Sequence, residues 1–121
     1  MTIESLSYIN RLLVENGINY ELLSWTSEVV YPYFVGEYQE SPSLQENGLQ
    51  ETLFILNGFT RGKWLELENA KAKIEKITNI TTILPNGNGI AILYEGSSII
   101  PTYDEELKRI QINLNIKEWK V

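Results

Sequence analysis

The side chains that usually carry out proton transfer and nucleophilic attack are largely absent from this chain. It has no His and no Cys, so the commonest general base, the Ser-His and Cys-His nucleophile pairs, and the commonest zinc ligands are missing. Carboxylate, Lys and Tyr chemistry remains. Sixteen Asp and Glu residues would suffice for a glycosidase pair, but no spacing singles out two of them. Asp104, Glu105 and Glu106 are contiguous and lack the alternating ligands and central glycine of an EF-hand loop. They read as a solvated turn. The segment Gly58-Phe59-Thr60-Arg61-Gly62-Lys63-Trp64 joins a strand to a helix and contains Gly-Lys, as a phosphate-binding loop does. Only Phe59, Thr60 and Arg61 separate its glycines, one residue too few, and Trp64 stands where a hydroxyl would hold magnesium. It reads as a turn with Arg61 and Lys63 at an exposed corner. No catalytic set, cofactor or metal is expected, and the chain is read as a non-enzyme.

The elements that must position these residues alternate between the two hydrophobic periods. From Ile3 to Asn16, Ile3, Leu6, Ile9 and Leu13 recur at helical spacing, with Thr2 as N-cap and Gly17 as the stop. Residues 18–30 suit either an extended path or a turn of helix. Tyr33 to Glu40 reads as a strand with Gly36 between Phe34 and Tyr38 on one face, a position that marks a bulge or close packing. A polar loop from Ser41 to Gly48 follows. Glu51 to Gly58 is partly apolar on both faces, as in a central strand covered on both sides. Lys63 to Thr78 predicts the second helix through Leu67, Ala70, Ile74 and Ile77. Strands are then expected over Ile80 to Leu84, Ile90 to Tyr94 and Ser98 to Thr102, the first two joined by a Pro85-Asn86-Gly87-Asn88-Gly89 turn. Last comes the strict alternation of Ile110, Ile112, Leu114 and Ile116 with polar neighbours. The expected fold class is α+β, a mostly antiparallel sheet of about four to six strands with two main helices packed on one face.

A chain of 121 residues, 43% of them apolar, is expected to form a single domain over 1–121. A formal charge of −6, with Lys and Arg scattered among Glu, excludes the basic patch of a sequence-reading nucleic-acid binder. No basic segment followed by an apolar run opens the chain, and no apolar stretch approaches the roughly 20 residues a bilayer requires. The expectation is synthesis in the cytoplasm and no membrane partner. The aromatic residues Trp25, Tyr31, Tyr33, Phe34, Tyr38, Phe54, Phe59 and Trp64 crowd the middle of the chain as core or interface anchors, while Trp119 stands apart near the end.

The order of these features resembles the tail-terminator, or tail-completion, proteins of long-tailed bacteriophages and related prophages. The resemblance runs through the N-terminal helix, Tyr31-Pro32-Tyr33-Phe34-Val35-Gly36-Glu37-Tyr38, Glu51-Thr52-Leu53-Phe54-Ile55-Leu56-Asn57-Gly58-Phe59-Thr60-Arg61, the helix from Leu65 to Ile74 and the β-rich end. It implies a structural protein of the virion tail, made in the bacterial host. Such a protein is a monomer in solution that assembles into a homo-hexameric ring joining the tail-tube protein to the head-connector or neck protein, without catalytic or cofactor residues. On this expectation the acidic surplus lines a lumen through which DNA slides. The Ser41 to Gln50 loop, with Ser41, Leu44, Glu46, Asn47, Leu49 and Gln50, would order on docking to tail or neck partners. The competing reading is a small acidic immunity-type protein that neutralises one basic protein partner.

Overall fold

A computed structural model describes residues 1–40 and 48–121. The elements run α1 (Ile3–Glu15), β1 (Tyr20–Leu22), β2 (Tyr33–Glu40), β3 (Leu49–Thr60), α2 (Trp64–Ile77), β4 (Ile80–Ile83), β5 (Gly89–Ile100) and β6 (Lys108–Trp119). They form one six-stranded sheet in the order β1-β2-β3-β6-β5-β4. Every pairing is antiparallel except that of β1 with β2. The fold is therefore α+β and mainly sheet, as the periodicities predict.

Register places the core. Phe54 lies opposite Leu114 and Leu56 opposite Ile112 across β3 and β6, and Ile92 lies opposite Ile116 across β5 and β6. These side chains share one face and are essentially inaccessible, together with Phe34, Ile110, and Ile9, Leu13, Leu67 and Ile74 from the two helices. Both helices cover this face. Two glycines make room for its largest rings. A Cβ at Gly58 would stand 2.3 Å from the Phe34 ring, and one at Gly36 would stand 2.7 Å from Tyr20 and 2.9 Å from Phe54. The strand-internal Gly36 thus marks close packing, with no register shift between β2 and β3.

Helix α1 begins as expected. The Thr2 hydroxyl accepts from the Ser5 N–H at 3.1 Å, and Gly17 follows the helix at φ +80°. Its buried stripe is Ser5, Ile9 and Leu13, whereas Ile3 projects outward. Residues 20–22 resolve into β1. Three further expectations change. Leu49 and Gln50 are not loop residues: they open β3, opposite Trp119 and Glu118 of β6. Strands anticipated separately at 90–94 and 98–102 are one strand, β5, whose register shifts between Tyr94 and Ser97 around Gly96 at φ +111°. A bulge inserts residues without ending the ladder, which the sequence displays as a break. Finally, β3 is central but covered by helices on only one face. Its other face holds the exposed Leu53 and half-buried Ile55 and Phe59.

No helix among the described residues is long and apolar enough to cross a membrane.

Candidate interaction surface

The helix-free face of the sheet carries the odd-numbered residues of β2, β3 and β6. Tyr33 pairs with Phe59, Val35 with Asn57, Asn57 with Gln111 and Phe59 with Arg109. At the end where β2 begins and β3 terminates, these residues form a groove of about 410 Å³ lined by Leu23, Ser24, Trp25, Tyr33, Val35, Glu37, Asn57, Phe59 and Arg109. Its floor is an aromatic ladder. Trp25 meets Tyr33 at 4.9 Å between ring centroids, and Tyr33 stacks on Phe59 at 5.1 Å. Burial raises the Tyr33 phenol above its ordinary pKa, with Tyr31 adding to the shift and Arg61 opposing it.

Arg109 closes the ladder. Its guanidinium lies over Phe59, 5.7 Å from the ring centroid, a cation–π arrangement. One Nη2–H donates to the Asn57 side-chain carbonyl at 2.7 Å, and the Asn57 amide donates to Glu37 at 3.3 Å. Its Nε is buried without a hydrogen-bond partner among the described residues, as is the Asn115 side-chain oxygen on the same face. Arg109 makes no ion pair with a carboxylate among the described residues. A donor in this state has given up water without recovering a hydrogen bond, which costs about 1–3 kcal/mol in a folded chain.

The predicted exposed corner is present but organised. Arg61 and Lys63 are both exposed. Arg61 bonds Asp104 at 2.7 Å, and this bond foremost, then one to the Tyr31 hydroxyl, raises its pKa. The same contact lowers the Asp104 carboxyl. The 101–107 turn is held in addition by the Thr102 hydroxyl, which donates to the carbonyls of Asp104 and Leu107. Glu66 occupies the start of α2. It accepts from the Thr60 hydroxyl at 2.6 Å and approaches within 2.3 Å of where a Gly62 Cβ would stand. The Glu66 carboxylate thus packs against Gly62 at this turn.

The loop candidates lie elsewhere. Ser41, Leu44, Glu46 and Asn47 fall outside the described residues. Leu49 and Gln50 stand at the opposite end of β3 from Arg61, about 37 Å away along a strand of this length. The two candidate groups therefore do not make one site. At the Gln50 end, a buried carboxylate ties the termini together. Glu118 accepts from the Thr2 hydroxyl at 2.7 Å and the Thr2 N–H at 3.2 Å, and from the Asn88 amide at 2.8 Å. Burial raises its pKa, but the Asn88 and Thr2 hydrogen bonds outweigh that and hold it below the ordinary Glu value. Asn88, expected only as a turn former, also accepts from the Val121 N–H at 3.1 Å. Trp119 is half-buried, its ring 3.6 Å from where a Gly89 Cβ would sit.

Sequence reasoning missed the groove because its parts come from β2, β3, β6 and residues 23–25, which no local period links. The available signal was the two-sided apolarity of β3, since a strand written for burial on both faces needs a second cover.

No cluster of His, Cys, Asp and Glu that could hold a metal occurs among the described residues. No protein-family model matches the chain, and no curated protein matches it.

Proposed function

We propose that this chain is a structural subunit that assembles with copies of itself into a ring, and that the ring terminates a phage tail tube and joins it to the head connector. The observation that carries the reading is the helix-free face of β3. Leu53, Ile55 and Phe59 are apolar, flanked by Val35 and Leu93 at half-burial, and have no helix above them. A sheet face of this kind acquires its cover by association.

Charge supports the same reading. The helices are close to neutral, with Glu4, Glu15, Glu66, Glu68 and Glu75 set against Arg11, Lys71, Lys73 and Lys76. The acidic surplus is thus concentrated on the sheet, its loops and its turns. In a ring whose channel is lined by the acidic loops and turns, this charge repels DNA phosphates. The resemblance of the Tyr31–Tyr38 and Leu56–Gly62 segments to tail-terminator proteins supplies the biological setting.

Light scattering on the purified chain tests the assembly. The expected result is a mass that climbs with concentration to a fixed multiple of 13.9 kDa, and a Leu53→Glu variant with an unchanged melting curve that stays monomeric at concentrations where the parent assembles. A mass that never departs from the monomer, together with a stable one-to-one complex with a single basic protein, would replace this reading with the immunity-type one.

A further inference from the structure

The ring reading leaves open which surfaces meet, and two features of the sheet's aromatic end complement each other. One is the groove with its stacked rings and Arg109, a cation without an ion pair among the described residues. The other is Tyr103. Its side chain is completely exposed, at 112% of the reference area, on the turn between β5 and β6, and it is followed by Asp104, Glu105 and Glu106. An aromatic residue this exposed contributes nothing to its own fold, yet aromatics are the commonest anchors of protein interfaces. We infer that the Tyr103–Glu106 turn of one copy inserts into the Trp25–Tyr33–Phe59–Arg109 groove of the next. The inference rests on the ring reading.

Three observations support this pairing. The groove, about 410 Å³ and open to solvent, has room for a phenol ring to lie against Tyr33 or Trp25. The charges match as well. Asp104 is taken up by Arg61 within its own chain, which leaves the Glu105 and Glu106 carboxylates to meet the guanidinium of Arg109 on the neighbour. A charge-assisted bond there would neutralise a guanidinium that makes no ion pair among the described residues. Topology supplies the third. The groove spans β2, β3 and β6, and the turn leaves β5 at the same end of the sheet. Arg109 lies on β6, the strand next to β5, and the Arg61–Asp104 bond ties the turn to the end of β3. Donor and acceptor are therefore neighbouring but separate patches at one end of the sheet. Head-to-tail contacts of this kind generate a closed ring when the rotation between neighbours closes.

The chain has no Cys, so engineered thiols report the contact without background. In a Tyr103→Cys/Ser24→Cys double variant, a short bismaleimide should join turn to groove and give a ladder of covalent oligomers that ends in one closed species. Neither single variant should pass beyond dimer. A second arm uses charge. Arg109→Glu should weaken assembly by about tenfold or more, and combining it with Glu105→Lys and Glu106→Lys should recover part of the loss. Tyr103→Ser should weaken assembly while leaving the melting curve unchanged, because nothing in the fold leans on that ring. If the parent forms rings under the microscope while the double variant stays uncrosslinked and Tyr103→Ser assembles normally, this contact is wrong and the ring stands. If the parent forms no ring under any condition and no ladder appears, both fall together.

Discussion

A carboxylate withdrawn from water costs several kcal/mol unless its lone pairs are occupied, and Glu118 meets that condition through Thr2 and Asn88. Because those bonds hold its folded pKa below the ordinary Glu value, it contributes stability at neutral pH. That contribution persists above the unfolded-state pKa and disappears as pH falls through the folded one. Glu118→Gln should lower stability by about 1.5–3 kcal/mol at pH 7 and flatten the acid limb of a plot of unfolding free energy against pH. An acid limb identical to the parent's would show that the carboxylate is not ionised in the fold. Gly58 offers a second test at this scale. Its missing Cβ is the space into which Phe34 packs, so Gly58→Ala should cost about 1–3 kcal/mol in urea titrations. A neutral result would mean that the Phe34 ring has room to move. Glu118 was in fact marked in the sequence. It occupies the same phase as Ile110, Ile112, Leu114 and Ile116, and is therefore aimed at the core. What could not be read was its partners, since Thr2 lies at the other end of the chain and Asn88 in a turn whose composition is already explained by its backbone.

Among the elements, helices and isolated strands were legible because their period is a local property. Thr2 caps α1, the alternation from Ile110 to Ile116 forms β6, and the Leu67 to Ile77 stripe becomes α2 with Leu67 and Ile74 fully buried. The pairing of β1 with β2 was not legible, since a parallel contact of residues 20–22 with 34–36 carries no turn signal between its strands. The bulge in β5 hid continuity for a related reason: Gly96 looks like a turn when only neighbours in sequence are considered. Thr2→Ala tests the local part of the account. It removes both the cap on Ser5 and a bond to Glu118, and should cost at least about 1 kcal/mol, with faster amide exchange in the first turn of α1. If exchange there is unchanged, the cap contributes nothing to holding that turn.

At the scale of the whole molecule, the sheet is finished on one face and unfinished on the other. The helix-covered face buries the aliphatic rows of β3, β5 and β6, while the opposite face leaves Leu53 exposed, Arg109 Nε and the Asn115 oxygen without partners among the described residues, and an aromatic ladder open at one end. The two-sided pattern of β3 was visible in the sequence and was read as cover by the chain itself. In the proposed ring a neighbour would supply that cover, which would also account for a central strand whose apolar residues exceed what its own fold buries. Electron microscopy of the concentrated chain, alone and mixed with tail tubes, tests this most directly. The account predicts closed rings with an open channel, seated at tube ends, with β3's helix-free face covered. Particles that remain single subunits at every concentration and leave tube ends bare would contradict it.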